Sequence, residues 1–242
     1  MTILCIETST QVCSAAICIG GVPTDVRIST VETNHAKLLP RFVDELLANL
    51  TKKGLRVEAV ALSAGPGSYT GLRIGTSLAK GLCYGWQVPL LPIDTLQIVC
   101  ASACARTHVT DGLLCPMIDA RRMEVYTRLY DANLRPQGET KAVVVENEAS
   151  LYSVSERSEQ SLFCQAKPVY YFGDGAEKCQ SVLTQPNMHY IAGIVPEAQY
   201  MGLLAEEEAA KGKGLKANEV AYYEPFYLKE FVAAPSHVKG LK

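Results

Sequence analysis

The 242-residue chain predicts an α/β protein made of two similar domains side by side. Two observations lead there. The apolar runs give the element order βββαβαβα twice along the chain. In the first half, a glycine-rich turn, "SAGPGSYTGLRIG" from Ser63 to Gly75, joins a buried strand to a helix, as open α/β units require. The first domain is drawn at residues 1–106 and the second at 107–242, the latter carrying an extended tail.

Residues 2–7, 12–19 and 22–31 read as strands, and Gly20-Gly21 between the last two is a hairpin signal. From Ala36 to Lys52, the apolar residues Leu38, Leu39, Phe42, Val43, Leu46, Leu47 and Leu50 form one helical stripe. A strand at 57–62, a helix at 71–85, a strand at 88–93 and a helix at 94–106 complete the first half. The second half gives strands near 113–119, 124–130 and 140–146, a helix near 147–157, a strand at 168–173 and a helix at 175–184. A short strand at 188–192 and a helix at 196–211 follow. Residues 157–167 are polar and loop-like. The aromatic "YYEPFYLKE" reads as extended, and "APSHVKGLK" as a frayed end.

Composition narrows the function classes. Hydrophobic residues make up 48% and charged residues 20%, ordinary for a soluble globular protein. The formal net charge is −2, and no long basic run offers phosphate contacts, so tight nucleic-acid binding by the chain alone is not expected. No apolar run is long enough for a membrane span, and Met1-Thr2-Ile3-Leu4 lacks the basic flank of a secretory signal. The nine cysteines sit in apolar segments without a Cys-x-x-Cys pair. They read as reduced core thiols of a cytoplasmic protein, not as zinc ligands.

The glycine turn fits neither common phosphate loop. A P-loop places Lys after its last glycine, and here Leu72 follows Gly71. The dinucleotide fingerprint sets its third glycine three residues after the second, where this chain has Thr70. The preferred reading is a tight Gly65-Pro66-Gly67 turn, with Thr70 capping the helix and Gly71 packing close. Gly71, Gly75, Ala79 and Cys83 recur every four residues, so one helix face is small and admits another backbone. Its own sheet, the neighbouring helix or a partner chain would each serve as cover. Taken as a partner interface, the helix pair contributes Leu39, Val43, Gly71, Leu72, Gly75, Leu78 and Ala79. At the second hairpin Asp119, Arg121 and Arg122 offer a contact for an anion or a partner carboxylate; the alternative is a solvated turn with an internal Asp119–Arg pair.

Together "ILCIETST", "HAKLLP", "AGPGSYTGLRIGTSLAKGL", "VPLLPIDTL", "IDARRMEVY" and "FGDGA", in this order and at these spacings, resemble the bacterial TsaB (YeaZ) family. The resemblance spans about residues 1–175 and extends weakly to "EPFYLKE". It implies the actin-like, sugar-kinase and RNase-H-like pair of α/β domains. It also implies a non-catalytic role in making tRNA threonylcarbamoyladenosine, as dimerisation partner of a TsaD-type catalytic subunit, with a TsaE-type ATPase as a further component. A homodimer is expected when the chain is alone. TsaD proteins carry His-x-x-x-His after the strand matching "VPLLPI", whereas Thr95 and Val99 stand there in this chain, so no metal is expected. Actin-like ATPases open with Asp-x-Gly-[Ser/Thr]; here the run is Glu7-Thr8-Ser9-Thr10. A residual, weak ADP or ATP site would use Glu7, Ser9, Thr10, Gly173, Asp174 and Gly175; otherwise Asp174 simply caps a turn. An actin-like ATPase or small-molecule kinase with a degenerate phosphate loop remains the alternative, and a glycoprotease-type peptidase a third reading.

Overall fold

The computed structural model describes residues 1–30, 34–109, 111–151 and 167–229. Its first sheet contains β1 (Thr2–Glu7), β2 (Cys13–Ile19), β3 (Val22–Ser29), β4 (Ala59–Ser63) and β5 (Leu90–Ile93), in the spatial order β3-β2-β1-β4-β5. The second contains β6 (Leu113–Asp119), β7 (Glu124–Asp131), β8 (Pro136–Val144), β9 (Val169–Phe172) and β10 (Met188–Ile191), in the order β10-β9-β6-β7-β8. Read from the opposite edge, the second order repeats the first strand for strand. In both, the first three strands are antiparallel and the last two run parallel to the first.

Strand β1 is buried throughout because both faces of its sheet are covered. Leu4 and Ile6 face a core shared with α1 (His35–Lys52) and α2 (Tyr69–Trp86). Ile3 and Cys5 face the opposite core, which receives Ile98, Met201 and Leu204. The alternation is the two-residue period of a strand. The Asn34 side chain caps α1, accepting from Lys37 N at 3.1 Å.

Each half lends its last helix across the middle. Helix α3 (Thr95–Thr107) turns Leu96, Val99, Cys100 and Ala103 onto Leu114, Ile118 and Phe172 of the second sheet, while Ile98 remains with the first. Helix α4 (Gly202–Ala210), from the second half, covers the back of the first sheet with Leu204 and Ala205. Chain order and packing therefore diverge at α3, the last element before the sequence-based boundary at 106/107.

The second half departs from the expected helices. The segment read as a helix at 175–184 forms a 3-10 turn at Glu177–Cys179 between further turns. Ser181, Val182 and Thr184 are poor helix formers, and Pro186 disfavours helical backbone just before it. The helix read at 196–211 begins as a 3-10 turn, Ala198–Met201, and becomes α-helical only at Gly202. Strand β8 starts four residues before its expected place. Of the helix read at 147–157, a 3-10 turn at Glu148–Leu151 is described; the rest lies outside the described residues, as do 157–166 of the polar loop and the C-terminal "APSHVKGLK". Of the described cysteines, all are unpaired thiols; Cys104 is half-buried and the others are buried. No helix among the described residues is long and apolar enough to cross a membrane.

Helix α2 lies unusually close to β1. A Cβ at Gly71 would stand 2.0 Å from Thr8 O, and one at Gly75 would stand 2.4 Å from Thr8 Oγ1. At Gly81, on the exposed side of the same helix, a Cβ meets nothing within 4 Å. Gly71→Ala is therefore expected to destabilise the fold by about 1–3 kcal/mol through overpacking. Gly81→Ala is expected to stabilise it by about 0.5–1 kcal/mol through helix propensity. Urea unfolding midpoints of the two variants check both signs.

Candidate functional site

The glycine turn is held by its own protein. Ala64 N donates to Ile93 O at 2.7 Å, and Ser68 N donates to Ser9 O at 2.6 Å. Gly65 N donates to Thr95 Oγ1 at 3.1 Å, and Thr95 N returns a bond to Gly65 O at 3.0 Å. The cap of α2 is Ser68, whose hydroxyl accepts from Gly71 N at 3.3 Å, not Thr70 as the sequence implied. A phosphate cradle needs several backbone amides turned towards the ligand. Here the amides of Gly65, Ser68 and Gly71 are bound within the protein. The tail closes the loop from above, with Phe226 N donating to Ala64 O at 2.7 Å.

A cleft of about 660 Å³ nevertheless opens between the two halves at this loop. Ser9, Thr10, His35 and the start of α2 form one wall; Asp119, Arg121 and Asp174 form the other, and Tyr227 to Lys229 cross its edge. The fold thus brings together Ser9, Thr10, Asp119, Arg121 and Asp174 from the sequence-based site, far apart in the chain. Gly173 and Gly175 do not line the cleft. They pack on the end of β6, where a Cβ at Gly173 would stand 2.2 Å from Met117 O. Asp174 caps no helix; its Oδ1 accepts from Asp119 N at 3.0 Å, and burial raises its pKa.

Glu7 lies behind the cleft, fully buried. Its Oε1 accepts from Ser9 N at 2.6 Å, while Oε2 has no hydrogen bond of normal geometry among the described residues. Burial pushes the carboxyl up to about 7; the Ser9 and Ser63 hydroxyls and the His35 ring pull the other way without overcoming it. His35 Nε2 lies 2.9 Å from Thr10 O. In the β6–β7 turn, Arg121 and Arg122 adopt φ of +73° and +51°, conformations rare for long side chains. Asp119 pairs with Lys178, not with an arginine as the internal-pair reading required. Arg121 reaches the cleft, Arg122 does not, and neither makes an ion pair among the described residues.

The profile of the family described as TsaD, tRNA N6-adenosine threonylcarbamoyltransferase, matches residues 3–234. A "tRNA threonylcarbamoyladenosine biosynthesis protein TsaB" of Haemophilus influenzae is 31% identical over 96% of this chain and 95% of its own. The TsaB chain belongs to a recognisable family, and so does this one. This chain is a member of the TsaB (YeaZ) family. The Bacillus subtilis protein of the same name is 28% identical over the whole of both chains. A solved structure described as YeaZ from Pseudomonas aeruginosa aligns with a TM-score of 0.74 and 26% identity, covering 94% of this chain and 99% of that one. A second Pseudomonas aeruginosa structure, described as an uncharacterized protein with similarity to peptidase YEAZ, aligns with a TM-score of 0.77 at the same identity and coverage. The doubled five-stranded sheet is the pair of similar α/β domains expected from the sequence.

In this TsaB-family chain, Thr95 and Val99 are fully buried, Thr95 bonded to the glycine turn and Val99 packed in the core. Among the described residues, no three His, Cys, Asp or Glu side chains gather closely enough to hold a metal. Of the interface residues named from sequence, Leu39 and Leu78 line a groove between α1 and α2. Leu39, Val43, Leu72 and Ala79 are buried in the chain's own core, and Gly71 and Gly75 face Thr8. Only Leu78 of that set reaches the surface, half-buried. The small stripe faces the chain's own sheet. The outward face is instead a largely apolar groove of about 460 Å³ between α1 and α2, where Ala36, Pro40, Arg73, Ile74, Ser77 and Leu78 meet. The same helical period that exposed the stripe in the sequence also placed Ile74 and Leu78 a quarter-turn away, the one signal that could have pointed to this face.

Glu7 supplies a pH test. Its folded pKa of about 7 exceeds the ordinary 4.5. Below 4.5 both states hold the proton and no penalty exists. As pH rises through 4.5 to 7 the unfolded chain ionises first, and stability falls to a plateau above 7. Glu7→Gln is therefore expected to stabilise the fold at about pH 8, by up to about 3 kcal/mol, and to lose that advantage near about pH 4.5. Thermal melts of both proteins across this range check the sign.

Proposed function

We propose that this chain is a non-catalytic subunit in the biosynthesis of threonylcarbamoyladenosine in tRNA, pairing with and stabilising a TsaD-type catalytic subunit. The observation that carries the reading is the α1–α2 groove, an apolar concavity on two long helices that the chain's own elements leave uncovered among the described residues. Full burial of Thr95 and Val99 supports the absence of chemistry, because those positions are committed to packing. In isolation the same face closes on a second copy; a TsaE-type ATPase completes the assembly in the cytoplasm. With a net charge of −2, the chain alone binds tRNA no tighter than about micromolar at physiological salt.

The cleft favours a second reading, an actin-like ATPase or kinase, because Ser9, Thr10 and Asp174 do meet there. Against it, Glu7 lies sealed behind Ser9, and the loop amides are bound internally. A peptidase would need a serine beside a histidine nitrogen, and His35 Nε2 instead faces a backbone carbonyl.

A stable pairing buries more than about 1,000 Å², with its energy concentrated at a few central residues. The double variant Ile74→Asp, Leu78→Asp is expected to weaken association with a TsaD-type subunit by about 100-fold or more, with a lowered melting temperature but a retained fold, since both side chains also pack against the first core. Sedimentation velocity and isothermal titration check this. Undiminished pairing places the interface elsewhere. Stoichiometric, tight ATP binding by the purified chain favours the kinase reading.

A further inference from the structure

The tail that follows α4 is fastened to the first half and ends on the second. Leu215 N donates to Leu90 O at 2.8 Å, and Leu90 N donates to Leu215 O at 2.9 Å. Val220 is buried in the first core, and Tyr223 packs against it. Phe226 N donates to Ala64 O at 2.7 Å, and the Tyr227 ring lies against Tyr69 with centres 4.9 Å apart. Beyond that point the tail crosses the cleft. Tyr227, Leu228 and Lys229 line it, and Lys229 pairs with Glu124, the first residue of β7. The nearby cation Lys178 does not compete for that carboxylate. Its Nζ donates to the backbone oxygen of Glu124 at 2.8 Å, and its ion pair is with Asp119.

The two ends of the tail differ in kind. The first-half end is fixed by burial, backbone hydrogen bonds and a ring contact. The second-half end rests on an ion pair whose side chains are 43% and 22% exposed, a class that contributes little and is screened by salt. A strap with one strong end and one weak end lets go at the weak end. Helix α3 packs on both cores and is the fixed joint between the halves; the tail is a second tie, across the cleft. We propose that residues 215–229 form a strap over the cleft, latched by Lys229 and Glu124, and that opening of the latch frees the cleft's edge while the halves stay joined through α3. The strap peels back from Lys229 towards Phe226. Tyr227 and Leu228 leave the edge with it, and Ser9, Thr10 and Arg121 gain an open side. Leu215 and Val220 stay in place. The glycine turn is undisturbed, because Gly65 N and Ser68 N donate to Thr95 and Ser9 and not to the tail.

Residue-resolved amide hydrogen exchange, followed by NMR on the full chain, tests the latch. The Phe226 amide is the reporter, because its bond to Ala64 O breaks when the strap lifts; the Leu215 amide and those of β1 are the controls. Lys229→Gln is expected to speed Phe226 exchange about 2- to 5-fold, the range an exposed ion pair supports, with the controls unchanged. Glu124→Gln gives the same increase. The double variant gives no more than either single change, because the two side chains act as one contact. Lys229→Arg, which keeps the charge, keeps the wild-type rate. Sodium chloride at about 0.5 M brings the wild-type rate up to that of Lys229→Gln and leaves the variant's rate where it was. An unchanged Phe226 rate in Lys229→Gln overturns the latch. Equal acceleration at Leu215 and in β1 also overturns it, since the pair then stabilises the whole fold. So does an additive double variant, since the two side chains then act through different contacts.

Discussion

The two halves are held in register by one carboxylate. Asp94, at the end of β5, accepts from Leu96 N at 2.8 Å through Oδ1 and so caps α3. Through Oδ2 it accepts from Arg128 Nη1 and Tyr130 Oη of β7, both at 3.0 Å. A single side chain therefore starts the crossing helix and ties that start to the second sheet. The link is charge-assisted, the stronger class of hydrogen bond. Because α3 packs on both cores, its starting point sets how the sheets face each other. The cleft inherits its width from that joint, since its walls come from opposite sides of it.

The duplicated topology makes the differences between the halves informative. Glu7 and Asp119 occupy the same place, the last residue of the first strand in each sheet. Glu7 is sealed, because a full helix, α2, follows β4 and approaches Thr8 closely. Asp119 stays exposed and pairs with Lys178, because short turns follow β9 where α2 would be. One acid is thus pushed up in pKa by burial, while its counterpart is held at the surface by an ion pair. The same difference gives the first half two long helices side by side, and with them an outward groove that the second half lacks among its described residues.

Much of this was legible in the sequence, and the misses have physical causes. The apolar period of α1 and the buried runs of β1 and β4 are local signals, and they matched the structure closely. The small stripe on α2 correctly demanded a close backbone. Periodicity carries no information on which backbone, and Thr8, directly after the chain's own first strand, takes the place. Ser68 and Thr70 are both capping residues, and only the turn geometry chose Ser68. At 175–184 tertiary packing around Gly175 and the following Pro186 overrode a helical pattern. The pairing of Lys229 with Glu124 carried no signal at all. They are 105 positions apart, and they meet only because the tail crosses the cleft.

The glycine turn is committed to the protein's own hydrogen bonds. A phosphate entering the loop would have to displace Ser9 O from Ser68 N and Thr95 Oγ1 from Gly65 N, and would approach the buried carboxyl of Glu7. Each displaced group would be left without a partner in a site already short of water, at about 1–3 kcal/mol apiece. The outer face of α2 makes no such commitment and borders an open, largely apolar groove with α1. The glycine turn thus serves as the rigid base from which α2 starts.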